Sequence, residues 1–392
     1  MDSFNTIDAS KVAAIRDHFD KRCNRLLKLT QEVVETESPS RDEAGSWAVV
    51  SLLAKAARNI EGVDSIKVIR SPGYGDHLLV HAFSDQAEAG SILLLGHTDT
   101  VHPRGSVLER PWRIEEGLVY GPGVFDMKAN CVMALEVIGA LTHAGIRPRR
   151  AVSLLLTCDE ETGSPTGRRL VEEVASHGIV CGFVLEPPVR GGRVKTGRKG
   201  TGMFTLKAEG IAAHAGLEPE KGASAILEMA RQIQRLHSMS ELDRGNTFSV
   251  GVVHGGTQSN VVAAHAEAEL DFRFNTIEEG LRVEREILAS QPFDPRVQLT
   301  VLGGINRPPL KRTQDVVSLY ELARKIFAAL DFDLGEAQVG GASDGNFLAA
   351  LGVPVLDGLG IDGDGAHAAH EHILVEDIAR RGALLAGMIA SI

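Results

Sequence analysis

Short apolar runs, each followed closely by polar side chains, constrain the fold of this chain most strongly. Short continuous runs of this kind are typical of strands buried on both faces of a parallel sheet. Helical stretches at 127–144 and 167–175 separate the runs. We therefore predict an α/β domain with a mostly parallel central sheet and polar groups at the carboxyl ends of its strands. The runs are residues 92–95, 152–156 and 183–185, and the polar residues that follow them include His97, Asp99, Glu160, Glu161 and Glu186.

The sequence changes character at 191–200, a glycine-rich basic segment without apolar periodicity. Beyond this hinge, residues 266–274 alternate between apolar and polar side chains, as in a strand with one solvated face. Residues 297–301 repeat the alternation, and apolar positions at 226–236 mark a helix. These features predict a smaller α+β domain, an antiparallel sheet with helices, inserted into the larger one. The predicted boundaries are 1–194 and 311–392 for the larger domain and 195–310 for the inserted domain.

Charge and hydropathy exclude two kinds of partner. The 392 residues include 41 lysines and arginines against 52 aspartates and glutamates, and the formal charge of −11 opposes binding to nucleic acid. No apolar run approaches the roughly 20 residues needed to cross a membrane. Residues 1–20 lack a basic segment followed by an apolar one, so we expect a cytoplasmic protein. The cysteines show no paired spacing and are expected to be buried thiols without chemistry: Cys23, Cys131, Cys158 and Cys181.

The first polar cluster combines an imidazole with carboxylates. His97 and Asp99 follow a buried run, and residues two apart in an extended chain point to the same side, so their side chains converge. Asp126 lies in the glycine-rich bend 121–128, in front of a helix. Taken singly, each of these groups is more often part of a hydrogen-bonded strand end than of a metal site.

The remaining polar clusters shift this balance towards metal. Glu160 and Glu161 are adjacent at a strand end and point in different directions, so one can bind a metal while the other faces a substrate. Glu186 ends a third strand, and His367 lies in the glycine- and histidine-rich loop 363–372. All of these groups fall where open α/β sheets place their sites, which favours a metal centre. Imidazole and carboxylate without thiolate suits Zn²⁺ or a similar first-row ion, and one carboxylate can bridge two ions.

Four segments of the chain carry these residues in a fixed order: 96–101, 121–128, 159–164 and 360–371. In order and spacing they resemble the aminoacylase/carboxypeptidase G family of dinuclear zinc hydrolases. This family includes glutamate carboxypeptidases, acetylornithine deacetylase and succinyl-diaminopimelate desuccinylase. The resemblance covers nearly the whole chain. It implies a catalytic domain with two Zn²⁺ ions per subunit, Co²⁺ or Mn²⁺ being alternatives, and an inserted lid or dimerisation domain in a homodimer.

The resemblance also implies a role for each clustered side chain. The metal ligands would be His97, Asp126, Glu161, Glu186 and His367, with Asp126 as the bridging carboxylate. Asp99 would orient His97, since a ligating imidazole usually donates its other N–H to a carboxylate. Glu160 would be the general base. The peptide bond between Asp126 and Met127 is expected to be cis.

One departure from the family pattern leaves a second histidine open as the ligand. The family shows an asparagine before the glutamate that follows its ligand histidine, whereas this chain has His370 before Glu371. His367 keeps the spacing to Glu371, so we assign His367 as the ligand and retain His370 as the alternative.

Substrate-binding candidates come from the inserted domain and one further loop. The resemblance implies that His214 reaches across a dimer into the partner's site and stabilises the oxyanion, and that Asn260 and the loop with Gly341 lie near the substrate. A guanidinium can hold a carboxylate through two parallel hydrogen bonds. Arg273 and Arg307 are therefore candidates for holding a free α-carboxylate.

These features predict a metal-dependent hydrolase that cleaves an amide bond and releases a C-terminal amino acid. Residues 360–367 and 306–309 look closest to the glutamate carboxypeptidase branch. The alternative is an N-acyl amino acid deacylase, and either enzyme would act on a small molecule, an N-acyl amino acid or a peptide with a free carboxylate. A noncatalytic binding protein on the same fold is a third hypothesis, but it predicts loss of the base or of a ligand, and all are present.

Overall fold

A computed structural model describes residues 6–86 and 90–392. The chain folds into two compact units. The larger unit takes in the chain up to Gly197 together with Leu310–Val339 and Ser343–Ile392. The smaller unit takes in Arg198–Pro309 and Gly340–Ala342. The smaller unit therefore interrupts the larger one in sequence, close to positions 195 and 310.

Ten α-helices and sixteen strands lie within residues 6–86 and 90–392. The helices are α1 (Ala9–Glu35), α2 (Glu43–Ala57), α3 (Ser106–Glu109), α4 (Ala129–His143), α5 (Gly167–Ala175), α6 (Ala225–Ser238), α7 (Ile277–Leu288), α8 (Gln314–Ala328), α9 (Gly345–Ala350) and α10 (Val375–Ser391). The strands are β1 (Val63–Ser71), β2 (Gly75–Ala82), β3 (Ser91–His97), β4 (Arg113–Glu115), β5 (Leu118–Tyr120), β6 (Ala151–Thr157), β7 (Ile179–Val184), β8 (Val194–Arg198), β9 (Gly200–Glu209), β10 (Thr247–Gly255), β11 (His265–Phe274), β12 (Gln298–Arg307), β13 (Glu336–Val339), β14 (Val355–Leu356), β15 (Gly363–Asp364) and β16 (His372–Leu374).

A six-stranded sheet in the order β1-β2-β6-β3-β7-β14 forms the centre of the larger unit. Strands β6, β3, β7 and β14 run parallel to one another. Strand β2 pairs antiparallel with both β1 and β6. The predicted α/β fold with a mostly parallel central sheet is confirmed. Because β3 lies between β6 and β7, the polar clusters that follow these three strands come from neighbouring strand ends.

Both faces of this sheet are covered, which explains why its central strands are continuous apolar runs. Ile92 and Leu94 of β3 belong to a core that also includes side chains of α1, α4 and α10. Leu93 and Leu95 belong to a second core with side chains of α5 and α9. All four are fully buried, and burying one such side chain contributes about 1.5–3 kcal/mol. The strand is thereby anchored on both faces up to its last residue, His97.

The smaller unit contains an antiparallel sheet in the order β10-β11-β9-β12. Helices α6 and α7 contribute side chains to the same core as this sheet. In β11 the apolar members of the predicted alternation, from Ala266 to Phe274, are buried in that core, whereas the polar members between them are more exposed. The predicted antiparallel sheet with helices is therefore confirmed.

Two further features of the described residues bear on the sequence predictions. In the part of the chain that the structure describes, no helix is both long and apolar enough to span a membrane. All four cysteines are free thiols; three of them are buried, and Cys23 is partly exposed. Burial raises the pKa of Cys131 to about 12, so this thiol stays protonated at neutral pH.

Candidate metal centre

The last residue of β3, His97, faces two carboxylates. Its side chain is 1% exposed, and its Nε2 lies 3.2 Å from Oδ1 of Asp126 and 3.5 Å from Oε1 of Glu186. On the other side of the ring, Nδ1 lies 2.9 Å from the main-chain oxygen of Asp99. A carbonyl oxygen can only accept, so Nδ1 carries a proton and donates it to this oxygen. Burial lowers the pKa of His97, but hydrogen bonds to Asp126, Asp99 and Glu186 outweigh it and hold this pKa well above its usual range. Nε2 therefore donates to Asp126 here, and it is the ring nitrogen that would bind a metal ion in place of its proton.

The side chain of Asp99 connects His97 to the next strand end. Its Oδ1 lies 3.4 Å from Nδ1 of His97, further than the main-chain oxygen of the same residue. Its two oxygens also accept hydrogen bonds from the main-chain N–H groups of Glu160 and Glu161, each at 3.2 Å, and from Oγ of Ser40 at 2.7 Å. Asp99 therefore holds the turn after β6 in a fixed position relative to His97.

Asp126 lies between two imidazoles, on the irregular turn that leads into α4. Its Oδ1 faces His97, and its Oδ2 lies 3.4 Å from Nε2 of His367. The peptide bond between Asp126 and Met127 is cis, as expected from the sequence. Because each carboxylate oxygen is directed at a different histidine, the arrangement is the one that a carboxylate bridging two ions requires.

The bend that carries Asp126 depends on Gly123. This residue has a φ of +74°, and a Cβ added to it would lie 2.5 Å from Cγ2 of Thr100. We expect Gly123→Ala to lower the free energy of unfolding by about 1–3 kcal/mol through backbone strain, with a similar additional loss from overpacking against Thr100. Denaturant titration of both proteins measures the loss.

A second glycine in the same unit serves as the control for this substitution. Gly145 has a φ of +65°, and a Cβ there would meet no atom within 4 Å, so Gly145→Ala introduces backbone strain without a clash. If Gly123→Ala proved no more destabilising than Gly145→Ala, the close approach between Gly123 and Thr100 would not constrain the bend.

The second imidazole is supplied by His367 rather than by His370. Nε2 of His367 lies 3.2 Å from Oε1 of Glu161, in addition to its contact with Asp126. The ring of His370 instead lies 6.5 Å from the ring of His372. His367 has a φ of +63° and a side chain that is 52% exposed, in contrast to the buried His97.

The donor atoms of these residues form two overlapping groups. One group contains His97, Asp126 and Glu161, and within it one donor atom of each residue lies within 4.8 Å of the others. The second group contains His97, Glu160 and Glu186 at the same spacing. The larger unit therefore brings together the predicted metal ligands and the predicted general base.

The electrostatics of the cluster favour positive charge between the carboxylates. Burial raises the pKa of Glu161. Burial also opposes ionisation of Asp126, but hydrogen bonds from His367 and His97 outweigh it and hold the pKa of Asp126 well below its usual range. Hydrogen bonds to Asp126 and Glu161 raise the pKa of His367 to about 10. A divalent cation would supply this positive charge directly, so the donor set fits a first-row metal.

The predicted substrate-binding residues lie in the smaller unit. The segments of His214 and Asn260 pair there, with the N–H of Ala215 donating to the main-chain oxygen of Asn260 at 2.9 Å. Arg273 forms a bidentate ion pair with Asp271 at 2.6 and 2.7 Å. The other two candidates are Arg307, which is buried, and Gly341, whose main-chain oxygen accepts from Arg198 at 3.2 Å.

Two buried residues at the cluster were not among the sequence predictions. Glu371 accepts hydrogen bonds from main-chain N–H groups of the Asp126 bend, and His102 contacts Glu371 at 2.6 Å. The signal available in the sequence was the position of Glu371, four residues after His367 in the same loop.

This cluster of imidazoles and carboxylates fits a metal site, and comparison with known proteins shows that the chain is a metal-dependent hydrolase and gives its family. Residues 93–391 match the sequence pattern of peptidase family M20/M25/M40, and the chain belongs to this family. The family resemblance inferred from the sequence motifs is therefore confirmed.

Three relatives show how far the similarity extends. Carboxypeptidase G2 from Pseudomonas sp. (strain RS-16) is 27% identical over 93% of this chain and 88% of its own length. Succinyl-diaminopimelate desuccinylase from Delftia acidovorans is 28% identical over 91% of this chain and 95% of its own. The structure of an M20 family metallo-carboxypeptidase from Sulfolobus solfataricus has a TM-score of 0.75 and 17% identity, covering 93% of this chain and 98% of that chain.

Proposed function

We propose that the protein is a dinuclear zinc enzyme that cleaves an amide bond and releases a C-terminal amino acid, in the manner of a glutamate carboxypeptidase. The observation that supports this most directly is Asp126, whose two carboxylate oxygens face different imidazoles. The similarity to carboxypeptidase G2 over most of both chains supports the substrate class. We further propose that the enzyme acts in the cytoplasm.

The geometry suggests how the ligands divide between two ions. His97, Asp126 and Glu186 would hold one ion, since Nε2 of His97 faces both carboxylates. His367, Asp126 and Glu161 would hold the other, since Nε2 of His367 faces both of these carboxylates. Bound zinc lowers the pKa of a water molecule towards neutrality and polarises a carbonyl group. Co²⁺ or Mn²⁺ would suit the same donor set.

Glu160 would move the proton in the proposed reaction. One of its carboxylate oxygens would take a proton from the attacking water and then give it to the departing nitrogen. Glu160 would thereby return to the protonation state in which it began. The N–H of Glu160 is held by Oδ1 of Asp99, which also contacts His97. This contact fixes the position of the turn that carries the base.

The smaller unit would bind the substrate and act as a lid and dimerisation domain. His214 of one protomer of a homodimer would stabilise the oxyanion in the partner's site, with Asn260 and the loop of Gly341 near the substrate. The candidates for holding the free α-carboxylate are Arg307, at the end of β12, and Arg273, which pairs with Asp271.

A substrate panel tests the proposed function. We expect the zinc-loaded enzyme to hydrolyse conjugates with a C-terminal glutamate, and to lose this activity on chelation and regain it on zinc addition. The same conjugates with the α-carboxylate converted to a carboxamide serve as matched controls and should be poor substrates. Turnover is measured by release of free glutamate.

The similarity to succinyl-diaminopimelate desuccinylase favours a deacylase as the second candidate. In that case the panel would show hydrolysis of N-succinyl or N-acetyl amino acids and no release of glutamate from the conjugates. Equal hydrolysis before and after chelation would contradict both candidates.

A further inference from the structure

One carboxylate outside the proposed ligand set holds the bend that carries Asp126. Glu371 is 2% exposed, and its two oxygens receive four hydrogen bonds. Oε1 accepts from the main-chain N–H groups of Phe125 and Asp126, each at 2.9 Å. Oε2 accepts from the N–H of Gly123 at 2.7 Å and from Nε2 of His102 at 2.6 Å. Three amides of one bend are therefore tied to a single side chain.

Arg110 determines the direction of the hydrogen bond between His102 and Glu371. Nη2 of Arg110 lies 3.3 Å from Nδ1 of His102, and a guanidinium can only donate. Nδ1 therefore accepts, and the ring proton lies on Nε2, from which it is donated to Glu371. Nη1 of Arg110 also donates to the main-chain oxygen of Ala368 at 3.4 Å, next to His367 in the chain.

We propose that Glu371, His102 and Arg110 form a positioning network that sets the affinity of the protein for its metal ions. The network connects the bend of Asp126 to the loop of His367, the two residues that face each other at 3.4 Å. The inference rests on the proposed function, since it requires that Asp126 and His367 bind metal. Partners outside a metal's ligand set typically contribute 10–100-fold to affinity, because they fix the orientation of the ligands.

A matched control distinguishes this role from general stabilisation. Glu228 in the smaller unit is 1% exposed and also accepts main-chain hydrogen bonds, from Phe293 and Asp294, together with one from Gln232. Loss of either carboxylate removes a buried acceptor of main-chain N–H groups and should destabilise its unit. Of the two glutamates, Glu371 is the one that contacts the metal cluster, through Asp126.

The test uses Glu371→Gln and Glu228→Gln in the full-length protein. Glutamine keeps the size of the side chain, but its NH₂ group cannot accept the hydrogen bonds that one carboxylate oxygen accepted. We expect Glu371→Gln to weaken zinc binding by about 10–100-fold, measured by competition with a chelating indicator at fixed pH. Its cobalt-substituted form should show a changed visible spectrum. Glu228→Gln should bind zinc as the wild type does.

Each outcome bears on the inference. Zinc binding by Glu371→Gln as tight as in the wild type would overturn it. If Glu371→Gln does not fold, Arg110→Ala decides, since Arg110 is partly exposed and contacts the same network. Weaker zinc binding by Arg110→Ala supports the inference, and unchanged binding overturns it. Failure of the wild type to bind zinc would instead refute the proposed metal centre, and the inference with it.

Discussion

Replacing Glu160 by glutamine should lower kcat by about 10²–10⁴-fold and leave the zinc content unchanged, because the amide cannot take up the proton that the carboxylate transfers. The substitution keeps the main-chain N–H that donates to Asp99, so the turn after β6 should retain its position. Steady-state kinetics together with metal analysis of the purified variant measure both quantities.

Glu172→Gln is the matched control for this substitution. Glu172 lies on α5 in the same unit and pairs with Arg168 at 2.8 Å on the surface. It should retain the wild-type kcat. A Glu160→Gln enzyme with full zinc and near-normal turnover would show that another group moves the proton.

Replacing Asp126 by alanine should remove zinc from both positions and reduce activity to background. Its two oxygens face His97 and His367, so on the proposed division of ligands the substitution would remove one ligand from each ion. The loss of zinc affinity should exceed the 10–100-fold typical of removing a partner outside the ligand set. Metal analysis after dialysis and kinetics at saturating zinc measure the two effects.

Asp20→Ala is the matched control for Asp126→Ala, because it also removes one carboxylate from the larger unit. Asp20 lies on α1 of the same unit, largely exposed, and pairs with Arg16 at 3.9 Å. This variant should bind two zinc ions. Retention of two ions by Asp126→Ala would contradict a bridging role, and loss of only one would restrict Asp126 to a single position.

The fold was largely predictable because the central strands are apolar on both faces. Residues 92–95, for example, lie within β3, and the predicted helix 167–175 has the bounds of α5. The hairpin of β1 and β2 was not predicted. Residues 63–71 of β1 are exposed or only partly buried, so their sequence has no apolar periodicity that marks a strand.

The donor residues of the candidate site were predictable from the sequence, as was the contact of Asp99 with His97, whereas the contacts of Arg273 and Glu371 were not. His97 and Glu161 each lie shortly after an apolar run, and such a run marks the end of a buried strand in the sequence itself. The pairing of Arg273 with Asp271 depends on neighbouring side chains of one strand, and the contact of Glu371 with Gly123 joins distant segments. Spacing along the chain does not predict a contact between distant segments, such as that of Glu371 with Gly123.

The two histidines that face Asp126, His97 and His367, are added to the growing chain at widely separated times during synthesis. Between His97 and His367 the ribosome must make the whole of Arg198–Pro309, most of the smaller unit. At about 5–20 residues per second, that separation corresponds to tens of seconds. A nascent chain that ends before the smaller unit therefore already holds four of the five proposed ligands and lacks only His367. On the proposed function, complete metal loading would await translation of the last loop.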